Sequence, residues 1–105
     1  MAKKYRLEYF PAALRDMTEI IKYIGEELLN PSAAEKLIED MIAAADKLRD
    51  FPYANAVHPV SKPLKYEYRK LIVKNYIMFY RVDENEKTIV ITRVVYARRD
   101  YEKLL

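Results

Sequence analysis

Apolar positions recur along this chain at two different periods. In two segments, one from residue 12 to about residue 29 and the next ending near residue 50, apolar residues return every three or four positions with charged side chains between them. This spacing predicts two amphipathic helices. The two apolar stripes are Leu14, Met17, Ile20, Ile21, Ile24 and Leu28, and then Ala34, Leu37, Ile38, Met41, Ile42, Ala45 and Leu48. We expect both stripes to lie in the hydrophobic core.

Prolines mark the limits of these helices. Pro11 suits the first turn of the first helix, and Asn30 followed by Pro31 is typical of a helix cap with proline in the first helical position. Pro52 disfavours helical geometry at Phe51, so the second helix should end near Asp50. Because the link between the helices is short, we expect an antiparallel helical hairpin.

The other period is close to two and indicates strands. A first strand is predicted at residues 5–10, and three more follow the hairpin at 66–73, 76–82 and 88–96. Lys74-Asn75 and residues 83–87 read as the turns of an antiparallel meander, whereas residues 52–65 hold three prolines and predict a surface loop. The predicted fold is α+β, β-α-α-β-β-β, with the helical hairpin packed on one face of a small, mainly antiparallel sheet.

Composition narrows the possible functions. A chain of 105 residues is expected to form a single domain over residues 1–105. Its single glycine, Gly25, excludes a glycine-rich phosphate loop, and the lack of cysteine excludes disulfides and thiolate chemistry. We expect no cofactor and no metal, since His58 is the sole histidine and the carboxylates show no ligand spacing. Without a signal peptide or an apolar span, a cytoplasmic protein with no membrane partner is expected.

The chain has a formal net charge of +3, and its charged residues are unevenly distributed along the sequence. Residues 1–52 hold eight Lys/Arg and ten Asp/Glu, a net charge of −2, while residues 53–105 hold eleven and six, a net charge of +5. The basic half also carries seven of the ten tyrosines. This pattern suits either a well-solvated sheet surface or a surface that meets an anionic partner, with Lys/Arg for charge and Tyr for ring contacts. His58 is either an ordinary loop residue or a proton-transfer group.

Several segments together resemble the RelE/ParE superfamily of bacterial type II toxins, of the plasmid-stabilisation type. They are LLNPSAAEKL, LRDFP, YRKLIVKNYIMFYRV and ITRVVYARRDYEKLL, and the likeness extends over essentially the whole chain. The most specific parts are Arg69 to Val82, which matches the family pattern R-x-L-x-V-x-x-Y-x-x-x-Y-R-V, and Arg98-Arg99-Asp100. The resemblance implies the fold predicted above and a toxin that inhibits bacterial growth until an acidic antitoxin binds it.

The RelE-like branch of the superfamily cleaves mRNA on the ribosome. Its residue set carries over only in part: Lys70 matches one lysine and Arg99 the late arginine, whereas Tyr68 and Ile77 stand where a second lysine and a strand arginine would be. Cations are needed where negative charge develops during phosphodiester cleavage. The departures favour the ParE-like branch, which the resemblance associates with inhibition of DNA gyrase.

The sequence therefore predicts a ParE-like toxin, and whether it is an enzyme stays open. The alternatives are a ribosome-dependent mRNA endonuclease and a degenerate module that only binds its antitoxin. The candidate nuclease residues are Lys70, Arg99 and His58. The candidate target-binding residues are Arg69, Lys70, Lys74, Arg81, Arg98 and Arg99. The expected partners are an acidic antitoxin and either DNA gyrase or the ribosome with its mRNA.

Overall fold

The computed structural model describes residues 4–59 and 65–98. Its elements are β1 (Arg6–Tyr9), α1 (Pro11–Lys22), a π-helical turn (Tyr23–Glu27), α2 (Pro31–Lys47), β2 (Arg69–Val73), β3 (Tyr76–Asp83) and β4 (Thr88–Tyr96). The predicted order of strands and helices is confirmed. Within the described ranges, neither helix has both the length and the apolar character that crossing a bilayer requires.

The sheet has the strand order β1-β4-β3-β2 over the described residues. β2, β3 and β4 form the predicted antiparallel meander, and β1 runs parallel to β4 at the opposite edge. A bulge at Phe79/Tyr80 shifts the register between β3 and β4. Lys74, in the turn from β2 to β3, adopts φ 54°, so this tight turn uses the left-handed conformation that such hairpins require.

Both helices begin where the prolines predict. Pro11 and Pro31 lie at the first helical positions of α1 and α2. The Asn30 side-chain oxygen accepts a hydrogen bond from the Ala33 amide at 3.2 Å, which satisfies one of the free N–H groups at the start of α2.

The end of the first helix differs from the prediction. The regular α-helix stops at Lys22 rather than near residue 29, and a π-helical turn follows in which the Leu28 amide donates to the Tyr23 carbonyl. Leu29 then adopts φ 53°, which ends the helical path just before Asn30. Apolar spacing does not distinguish an α-helical turn from a wider π-helical turn, so the sequence pattern predicted one continuous helix through this segment.

Strand β2 and helix α2 are also shorter than predicted. β2 begins at Arg69 rather than at residue 66, because the Tyr68 carbonyl accepts from the His58 amide at 2.7 Å and the chain there pairs with the preceding loop. α2 ends at Lys47, and residues 48–50 continue as turns in which the Leu48 amide bonds the Ala45 carbonyl, a tightening common at helix ends.

The core lies between the helical hairpin and one face of the sheet. Met41 of α2, Met78 and Tyr80 of β3, and Ile89 and Ile91 of β4 are fully buried there. Burial of such apolar side chains is the main favourable contribution to folding.

The prediction that both helical stripes are core in full is wrong. Leu14, Ile21, Leu28 and Ile42 are 51%, 40%, 55% and 50% exposed. The sheet covers only one side of each helix, and the apolar stripe of the sequence is wider than that side.

Candidate target-binding surface

The sheet face turned away from α1 and α2, here called the open face, carries a small apolar cluster. Ile77, Phe79 and Val95 are buried there, with the Tyr68 ring packed against them. Alternation along β2 and β3 places Lys70 and Arg81 on this face, since Lys70 lies opposite Phe79 in the strand register and Arg81 is two residues beyond Phe79. Diagonal neighbours of this kind have Cβ atoms about 7–8 Å apart or less.

Arg81 is held between two aromatic rings. Its guanidinium carbon lies 4.3 Å from the centre of the Tyr66 ring and 5.8 Å from that of Phe10. The Lys65 ammonium lies 5.3 Å from the Tyr66 ring on the same segment. Each ring attracts the cation through its electron-rich face, and both rings remain about 41% exposed. The result is an accessible cation with flat apolar surfaces on either side.

Ile77 is the second residue of β3 and lies near the turn end of the open face, where it pairs with Ile72 and Val95. Only 5% of it is exposed, and it packs in the cluster with Phe79, Val95 and Tyr68. An arginine at this position would have to place its guanidinium among apolar side chains or displace them. The position at which the resemblance expects a strand arginine is therefore an apolar packing position in this chain.

Lys70 is half-buried and has no ion pair within the described part of the chain. Phe79 lies opposite Lys70 in the strand register and Arg81 is the next residue on that side of β3, so neither of these neighbours offsets the charge of Lys70. An unpaired cation beside Arg81 gives this face a positive potential.

His58 lies in the loop before β2, but it is buried rather than at the surface. Its ring meets the edge of Phe79 at a centroid distance of 5.3 Å and an interplanar angle of 70°. An imidazole in this position supports the packing beneath the open face. The prediction that residues 52–65 form a surface loop is thus wrong for His58, because its amide pairs with β2 and draws the side chain inward.

Arg69 faces the helical side of the sheet and braces the preceding loop. Its Nη1 donates to the Asn55 carbonyl at 2.6 Å, and its guanidinium carbon lies 4.9 Å from the centre of the Tyr53 ring. The buried Tyr80 hydroxyl donates to the Pro52 carbonyl at 3.0 Å in the same loop. Burial raises the pKa of the Tyr80 hydroxyl above its ordinary value.

The remaining candidate cations lie apart from Lys70 and Arg81. Lys74 is in the β2–β3 turn, where its ammonium lies 3.5 Å from the Asp40 carboxylate of α2. Arg98 is exposed just after β4, and Arg99 lies outside the described residues. Of the predicted set, the structure brings together Lys70 and Arg81, and it separates these two from Arg69 and Lys74.

A carboxylate with three donors was not anticipated from the sequence. Glu84, in the β3–β4 turn, accepts hydrogen bonds from the Tyr5 and Tyr53 hydroxyls, and Lys87 donates to its second oxygen at 2.6 Å. The hydrogen bond from Lys87, followed by those from the two tyrosines, lowers the pKa of Glu84 to about 2. The bond to Glu84 raises the pKa of Tyr53 to about 12. These contacts link the start of β1, the loop before β2 and the β3–β4 turn.

A second unanticipated contact closes the edge of β4 beyond the end of β1. Both carboxylate oxygens of Asp16 on α1 accept from the Arg93 guanidinium, at 2.8 and 2.9 Å, and Asp16 also accepts from the Val94 amide at 2.9 Å. The hydrogen bonds that Arg93 donates to Asp16 raise the pKa of Arg93. Asp16 thus takes the place of a strand carbonyl, so α1 and β4 are joined where the parallel pairing stops. Residues 16 and 93 are too far apart in sequence for spacing to indicate this.

The described residues contain no group of three or more His, Cys, Asp or Glu side chains placed to hold a metal ion. The described part of the open face also lacks a carboxylate pair suited to acid–base chemistry. Its described side chains include cations and aromatic rings, which are groups that can meet an anionic or aromatic partner.

Three solved structures with a similar fold come from ParDE and RelBE systems. The chromosomal ParDE system of Pseudomonas aeruginosa aligns with a TM-score of 0.72 at 21% identity, covering 92% of this chain and 100% of that chain. The RelBE2 complex of Mycobacterium tuberculosis gives a TM-score of 0.60 at 21% identity, with 91% and 94% covered. The archaeal RelE–RelB complex of Pyrococcus horikoshii gives 0.61 at 14% identity, with 91% and 98% covered. At these identities the likeness establishes the RelE/ParE fold.

Sequence comparison defines the family. The profile described as ParE toxin of type II toxin–antitoxin system, parDE, matches residues 7–101. This chain therefore belongs to the ParE toxin family of type II toxin–antitoxin systems, as the resemblance predicted. A search of curated protein sequences returned no match.

Proposed function

We propose that this toxin arrests growth by acting on DNA gyrase rather than by cutting mRNA. The observation that carries the proposal is Ile77: it is buried with Phe79 and Val95 at the position where the nuclease pattern needs a cation. Cleavage of a phosphodiester bond requires several cations and a proton donor placed around one phosphate. A buried aliphatic side chain at this position supplies neither charge nor a proton.

Among the described residues, His58 does not supply the missing proton-transfer group. It is only 7% exposed and its ring packs edge-on against Phe79, beneath the surface that a substrate would touch. A general base has to come within about 2.6–3.2 Å of the proton that it removes, directly or through one water. This arrangement favours an open face that binds its target without reacting with it.

The target contact is assigned to the cations of the open face and to Arg98. Lys70 has no ion pair in the described ranges, and Arg81 is fixed by Tyr66 and Phe10 at an accessible position. A cation held by flanking rings loses little conformational freedom on binding, which favours an anionic patch on a protein partner. Arg69 contributes by fixing the loop at Asn55, since its donor is engaged there at 2.6 Å.

The partner that restrains the toxin is an antitoxin with an acidic segment. The Mycobacterium structure is a toxin–antitoxin complex by name, and the Pyrococcus structure is a RelE–RelB complex. The basic half of this chain suits an acidic chain that folds on binding. Calorimetry of the toxin with its purified antitoxin tests this assignment. Affinity should fall as salt rises, and an affinity independent of ionic strength would contradict the electrostatic part.

One observation favours the second candidate function, a ribosome-dependent mRNA endonuclease. Lys70 and the Tyr66–Arg81–Phe10 arrangement share a face, and cations beside exposed rings also suit phosphates and stacked bases. This reading needs a catalytic group that the described residues do not place beside Lys70.

Expression in growing bacteria distinguishes the two functions. Primer extension on mRNA from arrested cells should show no codon-phased cleavage, while a DNA-damage response rises as it does when gyrase is poisoned. Codon-phased cleavage that is lost in Lys70→Ala would reject the gyrase proposal and support the endonuclease. Full growth without either signal, with the antitoxin still bound, would identify a degenerate binding module.

A further inference from the structure

A cleft lies where the connection between α1 and α2 approaches the end of the sheet at the β2–β3 turn. Its walls come from α1, the π-helical turn, the start of α2, the β2–β3 turn and the last residues of β4. The cleft has a volume of about 860 Å³, within the range of about 300–1,000 Å³ that is typical of small-molecule sites. The open-face cations Lys70 and Arg81 are not among its described lining residues, although Val95 contributes to both regions.

Three tyrosine rings line this cleft, those of Tyr23, Tyr76 and Tyr96. Tyr76 and Tyr96 are paired in the register of β3 and β4, and their ring centres are 5.7 Å apart at an interplanar angle of 72°. Burial raises the pKa of the Tyr76 hydroxyl, and the nearby Tyr96 and Tyr23 hydroxyls raise it further. This hydroxyl therefore stays protonated at neutral pH and the ring stays uncharged. Aromatic rings set at an angle to one another around a small space bind organic cations through their electron-rich faces.

The cleft leaves apolar surface uncovered on the side of the sheet where the core is otherwise closed. Tyr23, Leu28 and Tyr96 are 54%, 55% and 43% exposed. Because all three line the cleft, their exposed surfaces belong to one patch rather than to scattered positions. An exposed apolar patch with polar residues at its rim is typical of a binding site. The π-helical turn that begins at Tyr23 is a helix irregularity that is frequent at functional sites.

The charges around the cleft favour a cation over an anion. Asp16 and Glu19 line it, and Lys74 is the one cation among its described lining residues. The Lys74 ammonium lies 3.5 Å from the Asp40 carboxylate, which is not part of the lining. Asp16 is bound by Arg93, and the hydrogen bonds to Asp16, followed by the charges of Asp16 and Glu19, raise the pKa of Arg93. Since two carboxylates lie near a single guanidinium, the charge of Glu19 is left to attract a positive ligand.

We propose that this cleft binds a small organic cation, a quaternary ammonium compound with a short apolar tail. The cationic head lies among the rings of Tyr23, Tyr76 and Tyr96 beside Glu19, and the tail packs against the aliphatic wall formed by α1 and the π-helical turn. A quaternary ammonium group suits tyrosine rings because its charge is spread over methyl groups that pack against them. The proposal does not depend on the target of the toxin.

The test compares ligands of matched shape on the full chain. Choline and neohexyl alcohol have the same shape, with the quaternary nitrogen of the first replaced by a quaternary carbon in the second. Amide NMR titration should show choline binding at least ~tenfold tighter at low salt, with shifts centred on Glu19, Tyr23 and Tyr76. Hexyltrimethylammonium, which adds an apolar tail, should bind at least ~tenfold tighter than choline. Equal affinity for choline and the alcohol, no gain from the tail, or shifts centred outside the cleft would each overturn the proposal.

Variants of the chain give a second, independent readout with hexyltrimethylammonium. Tyr96→Leu removes one ring and should weaken binding by ~fivefold, and Glu19→Gln should weaken it by ~threefold at low salt and by less at high salt. The controls are Phe51→Leu and Glu35→Gln, which change an exposed ring and an exposed carboxylate outside the cleft and should leave the affinity unchanged. Losses as large in the controls as in the cleft variants would overturn the proposal, and so would an unchanged affinity in Tyr96→Leu.

Discussion

The two faces of the sheet differ in what covers them. The face beneath α1 and α2 is covered by long apolar side chains, and Met78, Tyr80, Ile89 and Ile91 have no solvent exposure. The open face has the buried apolar cluster of Ile77, Phe79 and Val95, with the half-buried cations Lys70 and Arg81 on the same face. The same β3 strand therefore supplies the main core at one set of alternating positions and, at the other, two residues of this small cluster together with Arg81.

This difference separates stability from target binding. Substitutions on the covered face remove well-packed volume, so they should lower the free energy of unfolding whatever they do to toxicity. Substitutions of the open-face cations remove charge from a solvated surface, so they should change target binding and leave stability nearly intact.

The largest expected effect on stability is at Met41. Met41→Ala leaves a cavity between α2 and the sheet and should lower the free energy of unfolding by about 2–5 kcal/mol in a denaturant titration. The control is its sequence neighbour Ile42, half exposed on the same helix. Ile42→Ala should change stability by less than about 0.5 kcal/mol, since alanine also favours the helix. Equal losses for the two variants would contradict the described packing of α2.

Asp16→Asn should have the next largest effect. It weakens the paired bonds to Arg93 and removes the charge that faces the Val94 amide in a largely buried site, at a cost of about 1–3 kcal/mol. Breaking the exposed Lys36–Asp40 pair with Lys36→Ala is the control and should cost less than about 0.5 kcal/mol. A smaller loss for Asp16→Asn than for Lys36→Ala would show that Asp16 does not close the β4 edge.

Acid should weaken the contact made by Glu84. Its pKa is lowered in the folded protein to about 2, so its stabilising contribution is present above the ordinary carboxyl value of 4.5 and is lost as pH falls from there through about 2. Thermal melts of the wild type and Glu84→Gln should therefore converge across this window. Curves that stay parallel from pH 5 to pH 2 would exclude a role for the Glu84 carboxylate in stability.

The smallest effect on stability is expected for Lys70→Ala. The side chain has no ion pair among the described residues, so the melting temperature should move by no more than the equivalent of about 0.5 kcal/mol, while toxicity falls. Growth after induction, read beside a thermal melt of the same variant, measures both quantities. Loss of toxicity that accompanies a large drop in melting temperature would place Lys70 in the packing instead.

Local signals in the sequence were sufficient for much of the fold. β4 has the predicted bounds, and the Pro11 and Asn30 helix starts are as expected, because proline geometry and capping act within a few residues. The π-helical turn at Tyr23–Glu27 was not predictable from spacing, since the same apolar positions serve an α-helix or a π-turn. Exposure of Leu14 and Ile42 was missed because burial depends on where the sheet ends.

The candidate site likewise has some features that the sequence indicates and others that it does not. Strand alternation separates Lys70 from Arg69, which are neighbours in sequence, whereas the β2–β3 register is needed to place Arg81 on the same face as Lys70. The rings that hold Arg81 come from Phe10 and Tyr66, and the donors to Glu84 come from residues 5, 53 and 87. Such contacts join segments far apart in sequence, so only the tertiary arrangement could supply them.

A gyrase supercoiling assay with purified protein, run beside a translation reaction with the same preparations, tests the central claim most directly. The wild type and Ile42→Ala should inhibit supercoiling equally, Lys70→Ala should inhibit it less, and none should cut ribosome-bound mRNA. Codon-phased cleavage by the wild type with supercoiling unaffected would contradict the account, because the open face would then be catalytic despite the buried Ile77.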